Sequence, residues 1–169
     1  MPKGLKQTSA VIPVGFTVTE SAANTFTEAQ VDLALSALDR EVFVVLSINL
    51  DSDFPDNKQD TVTSVRSSVT STSQTSIPPL NNTNCLARLT YESSNNGDTC
   101  VQTYSNAAME TPPATLDYIG IIATNDFFVQ IKGNNNGAVS GANGKLYGYR
   151  AVADASIYAA LVQGEVLSA

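Results

Sequence analysis

The chain has 169 residues, enough for one domain spanning residues 1–169 that buries on the order of two thirds of its unfolded surface and needs no disulfide or metal to hold a core. Charged residues make up 15% of it, against about 25% in an average globular protein; Ser, Thr and Asn take their place, and the net charge is −7. The nine Lys and Arg are scattered singly, which speaks against direct nucleic-acid binding, and the absence of histidine removes Ser-His-Asp and Cys-His catalysis together with imidazole metal ligands.

Residues 1–10, MPKGLKQTSA, carry no apolar core of the signal-peptide kind, and no stretch approaches the roughly 20 apolar residues of a membrane helix, so synthesis in the cytosol is expected. Residues 25–38 open with Thr25-Phe26-Thr27-Glu28, a capping-box pattern, and place Val31, Leu35 and Leu38 on one helical face. Val31, Leu33 and Leu35 also alternate with Gln30, Asp32 and Ala34, which fits a strand equally well; we read a strand.

From Glu41 onward, Val42, Val44, Leu46, Ile48 and Leu50 fall on one strand face. The other face runs from Phe43 and Val45 to Ser47 and Asn49, as in a strand that starts inside a sandwich and emerges at its rim. A loop from Asp51 to Asp56 follows, with Pro55 ending the pairing. Residues 61–75, TVTSVRSSVTSTSQT, are β-branched and hydroxyl-rich with loose alternation, and predict an exposed or edge strand ending at Pro78-Pro79. The Asn81-Asn82-Thr83 sequon is of a kind that Asn- and Thr-rich chains contain by chance.

Cys85 and Cys100 flank an Asn96-Gly97 hairpin signal. A two-residue turn there sets Cys100 opposite Ser93, about 26 Å of strand from Cys85, so two free thiols are predicted. Residues 116–123 form a short apolar run. Phe127, Val129 and Ile131 alternate with Phe128, Gln130 and Lys132 ahead of a Gly133–Gly137 turn. Residues 145–162 alternate with period two from Tyr147 to Leu161 and are read as strand, although ASIYAALVQ also suits a helix. About eight strands without a long helix predict an all-β fold: an antiparallel β-sandwich or jelly roll.

Asp51, Asp53, Asp56 and Asp60, with Asn57, put hard oxygens within one loop, the ligand type Ca²⁺ takes, although the EF-hand spacing is absent. A structural calcium there would serve best as a bridge between copies. A solvated acidic loop is the plainer reading, and no other cofactor is expected. The glycines of residues 133–145 invite comparison with a phosphate loop, but the Gly144-Lys145-Leu146 ending lacks the Ser or Thr of that motif, and a surface loop between strands is expected. A glycosidase-type carboxylate pair is disfavoured by the lack of Trp and the 7% aromatic content, so no enzyme is expected.

LDREVFVVLSINLD as an inner strand, FFVQIKGNNNGAVSGANG as strand and loop, and LYGYRAVADASIYAALVQGEV as closing strands together resemble a small single jelly-roll capsid protein of an icosahedral virus. The resemblance is one of architecture and texture over the whole chain. It implies a virion subunit, made in the host cytoplasm, whose partners are copies of itself and other capsid proteins. They would meet through neutral loops and strand edges, here Thr61, Thr63, Arg66 and Ser68. Lack of a basic arm implies a shell lined by an internal membrane or scaffold component, or a minor or decoration role. Arg150 and Asp154 share a face of the closing strands and are expected to serve the fold. The alternative is a glycan- or receptor-binding sandwich, for which Tyr104, Tyr118, Tyr147 and Tyr149 are the candidate aromatics, the last two better explained as one buried face.

Overall fold

In the strand Asp126–Asn134, Phe127, Val129 and Ile131 are fully buried and Lys132 is exposed, the alternation expected where one sheet face meets a core. The computed structural model describes residues 3–97, 101–107 and 116–167. In chain order its elements are β1 (Leu5–Gln7), β2 (Ile12–Thr19), β3 (Thr27–Asp32), β4 (Glu41–Ser52), β5 (Val62–Thr70), β6 (Cys85–Asn95), β7 (Val101–Ala107), β8 (Gly120–Ile122), β9 (Asp126–Asn134), β10 (Gly141–Ala153) and α1 (Ala155–Leu167).

All pairings among them are antiparallel, in two five-stranded sheets. Sheet A runs β1-β10-β4-β8, with β2 beside the first half of β10, and sheet B runs β3-β9-β5-β6-β7. With β1 and β7 set aside, the first remaining strand pairs with the last (β2 with β10). The second pairs with the seventh (β3 with β9), the third with the sixth (β4 with β8) and the fourth with the fifth (β5 with β6). Such nested pairing is one long ribbon rolled into two sheets, which is a single jelly roll. The core lies between the sheets, where Phe16 and Phe127 meet edge to face at 5.8 Å.

Residues 25–38 hold a strand and no helix, but only over Thr27–Asp32; residues 33–38, with Leu33 and Leu35, are loop and turn. Four other expectations are corrected. The period-two pattern of residues 145–162 covers two elements: β10 ends at Ala153, and α1 follows. Asp154 accepts the first helical bond from the Tyr158 N–H at 2.9 Å, and alanines favour the helix. Ile157, Tyr158, Leu161 and Val162 lie against Val42, Val44, Tyr149 and Ala151, forming a second core on the outer face of sheet A.

That helix explains why both faces of β4 are apolar at its start. The single face assigned to it is also broken: Tyr147 pairs with Ser47 but Gly148 with Val45, so Leu46 is an extra, bulged residue. Beyond the bulge the faces exchange, and Ile48 and Leu50 join Phe43 and Val45 in the sandwich core. Gly148 sits where β10 crosses this bulge; a Cβ on it would lie 2.3 Å from the Val44 carbonyl oxygen and from the Phe43 ring.

Residues 61–75 are no edge. β5 lies between β9 and β6, with Arg66 exposed on its outer face, and most of its small hydroxyl side chains are buried: Ser67 Oγ meets Ser52 Oγ at 2.6 Å and Ser68 Oγ donates to Gln130 Oε1 at 2.7 Å. Finally, β6 and β7 pair with Asn95 opposite Val101 and Ser93 opposite Thr103, three residues away from the register of a two-residue Asn96-Gly97 turn. Cys100 lies outside the described residues; Cys85 is a free, half-buried thiol.

Candidate functional site

The acids of residues 51–60 are spread along the loop and mostly engaged. Asp53 Oδ2 accepts the Gly141 N–H and Asp56 Oδ2 the Gly137 N–H, both at 2.7 Å. Asp51 is exposed at the end of β4, opposite Asn143, and Asp60 stands apart with left-handed backbone near Gly97. Asn57 Oδ1 accepts from Asn95 Nδ2 at 2.8 Å. Among the described residues, no three acids or cysteines converge to hold a metal ion.

These carboxylates fasten the β9–β10 connection. Glu20, which is buried, completes the arrangement, accepting the Gly133 N–H at 2.6 Å and the Ser140 N–H at 2.9 Å. Four backbone amides of the glycine-rich loop therefore already serve three carboxylates. A phosphate would find those amides occupied, and the loop is pinned through them. Glu20 carries no motif that marks it in sequence; only the fold, which sets its carboxylate beside the Gly133 and Ser140 amides, reveals the role.

Of the residues expected to form an interface edge, Thr63 and Ser68 are fully buried and Thr61 is half-buried, while Arg66 is exposed on the outer face of sheet B. Among the described residues that sheet ends in β3 on one side and in β7 on the other, and β7 has no described strand beyond it. Its sequence, VQTYSNA, has neither charge nor proline, its register with β6 is unbroken, and residues 101–106 are exposed on both faces. In sheet A the last strand, β8, pairs with β4 only from Phe43 to Val45. From Leu46 to Ser52, β4 has β10 on one side and no described strand on the other. A cavity of about 710 Å³ opens along this rim, with Phe16, Ile48, Leu50, Ala87 and Leu89 among its lining.

The tyrosines separate by exposure. Tyr149 is buried beneath α1 with Tyr118 beside it, Tyr147 is half-buried at the cavity, and Tyr104 on β7 is 54% exposed. Arg150 pairs with Glu41 at 3.4 Å and also donates to the Leu33 and Ala34 carbonyls, so its partner is not Asp154. Burial pushes the Cys85 thiol up despite nearby Arg88, which leaves it a poor nucleophile at neutral pH. Burial likewise raises the Glu165 carboxyl, against the pull of the Ala123 and Thr124 amides, each donating to Oε2 at 3.0 Å. These bonds fasten the end of α1 to the segment after β8.

No family model matches the chain, and no curated protein matches it. Among solved structures, a chain from desmodium yellow mottle tymovirus is 15% identical over 92% of this chain and 96% of that one, with a TM-score of 0.34. The tailspike protein gp49 of Acinetobacter baumannii bacteriophage Fri1, a capsular polysaccharide depolymerase, is 10% identical over 71% of this chain and 19% of that one, with a TM-score of 0.17. The jelly-roll assignment therefore stands on this chain's own strand pairing.

Proposed function

We propose that the chain is a structural subunit of a virus particle, a jelly-roll protomer that packs with copies of itself and with other shell proteins. The observation that carries this reading is β7, an edge strand among the described residues, exposed on both faces over residues 101–106 and free of the charges, prolines and bulges by which monomeric sandwiches block edge pairing. A surface of neutral hydroxyls and amides, from a composition with only 15% charged residues, adds weak mutual repulsion. Repetition over a closed symmetric shell would make many modest contacts sufficient.

The rolled topology agrees with the resemblance to single jelly-roll capsid proteins, which is support by analogy, since one fold hosts many functions. The mode of contact is main-chain pairing at β7 supplemented by loop contacts, and it calls for no metal. The test is the mass of the purified protein by light scattering over a concentration series, with electron microscopy of the same samples. Discrete rings, capsomers or shells are expected, unchanged by a chelator. A strict monomer at every concentration overturns assembly by this chain alone.

A further inference from the structure

The outer face of sheet B gathers cations that the sequence scatters. Arg66 on β5 stands directly opposite Lys132 on β9 and Thr90 on β6, and Ser68, two residues along the same face, stands opposite Arg88. Three of the nine basic residues in a chain of net charge −7 thus share one face of three adjacent strands. Like charges placed directly opposite each other weaken a strand pair. Among the described residues none of the three has an ion-pair partner, the described pair being Arg150 with Glu41.

Beside these cations is a recess of about 290 Å³, lined by Arg66, Arg88, Thr90, Glu92, Tyr104 and Asn106, with Leu80 at its border. Register explains the gathering: Thr90 faces Asn106 and Glu92 faces Tyr104 across the β6–β7 pair. Asn106 Nδ2 donates to the Tyr104 hydroxyl at 2.9 Å, which fixes the exposed ring beside the recess. One small space therefore presents two guanidinium forks, an aromatic face, a hydroxyl, an amide and a carboxylate acceptor.

We propose that this recess binds an acidic saccharide, a sugar ring carrying a carboxylate or a sulfate. Guanidinium groups take such oxyanions in bidentate fashion. The Tyr104 face, negative at its centre, accepts the positively polarised C–H face of a pyranose. Thr90, Asn106 and Glu92 offer both donors and acceptors to ring hydroxyls. A nucleic-acid strand fits poorly: the recess lining has a single aromatic, and the cations form a cluster and not a track along a backbone. The site does not rest on the assembly reading, because edge pairing at β7 uses main-chain groups and leaves the outer face open.

The test is a titration of the isotope-labelled full chain, kept monomeric by Thr103→Lys on the face of β7 away from Tyr104 and Asn106, followed by amide chemical shifts, with sialyllactose and a sulfated heparin disaccharide as acidic saccharides, and with lactose, inorganic sulfate and a peptide of residues 51–60 as comparisons. Saturable shifts centred on Arg66, Arg88, Thr90, Glu92, Tyr104 and Asn106 are expected with at least one acidic saccharide, and binding about tenfold weaker or less with lactose, sulfate and the peptide. Arg88→Gln and the exposed-site variant Arg66→Gln should each weaken the saccharide about tenfold, and Tyr104→Ala should weaken the saccharide while leaving sulfate unchanged. If Arg88→Gln does not fold, Arg66→Gln and Tyr104→Ala carry the test. Absence of shifts with both acidic saccharides overturns the proposal. So does sulfate binding as tightly as the saccharide with no effect of Tyr104→Ala, which marks an anion patch only. Tighter binding of the acidic peptide also overturns it, and reassigns the face to contact with a second copy.

Discussion

Glu165 offers a quantitative test of how α1 is held. Its side chain is buried near the end of α1; Oε2 receives the amides of Ala123 and Thr124 at 3.0 Å each, and the Ser71 and Thr124 side chains stand beside the carboxyl. Glu165→Ala orphans two amides, one buried and one partly buried. At about 1–3 kcal/mol for each orphaned group, the loss should be about 2–4 kcal/mol, or roughly 5–15 °C in Tm for a chain of this size. Glu165→Gln keeps an acceptor for both amides and removes the charge, so it should stay within about 1 kcal/mol of the native chain at neutral pH. Burial raises the carboxyl above the 4.5 of an unperturbed glutamate, so the folded chain holds this proton more tightly than the unfolded chain does. The stability linked to that proton is complete below the unfolded value and is lost as pH rises through the folded one. The Tm of Glu165→Gln relative to the native chain should therefore climb from pH 4.5 toward neutrality. Thermal melts by circular dichroism across that range decide it. If Gln costs as much as Ala, or if the difference is flat with pH, the clamp is misassigned.

Other sites give sharper steric or polar tests. Gly148→Ala drives a methyl to within 2.3 Å of the Val44 carbonyl oxygen and the Phe43 ring, so urea unfolding should report a loss of about 1–3 kcal/mol or more, whereas Gly164→Ala, with open space around it, should be neutral or stabilising. Glu20→Ala orphans the Gly133 and Ser140 amides and should cost about 2–4 kcal/mol in the same assay, with hydrogen exchange speeding up at both positions. Because Asp53 and Asp56 already serve backbone amides, millimolar Ca²⁺ or chelator should leave Tm unchanged; a calcium-dependent rise of several degrees would restore the acidic loop as a metal site.

Much of the roll was legible in the sequence because some strands alternate: β9 sets Phe127, Val129 and Ile131 against Phe128, Gln130 and Lys132, and β3 proved a strand despite its capping box. What was hidden has particular physical causes. Alanines satisfy both periods, so α1 blended into β10. Hydroxyls resemble surface when they are paired inside, so β5 passed for an edge. The bulge at Leu46 exchanges faces without any marking residue, and the β6–β7 register departs by three residues from the tight turn that Asn96-Gly97 signals. The recess on sheet B was invisible for a different reason: Arg66, Arg88, Tyr104 and Lys132 lie on four strands, and only their register brings them together.

Assembly as proposed depends on the exposed edge β7 joining copies of this chain. Thr103 is exposed in the middle of that strand, so Thr103→Lys adds a charge at the edge without disturbing the core. The most direct measurement is sedimentation of the native chain and Thr103→Lys side by side at matched concentration, with unchanged far-ultraviolet circular dichroism as the control for folding. Large discrete particles are expected for the native chain and monomer for the variant. Particles of the same size from both chains would contradict it.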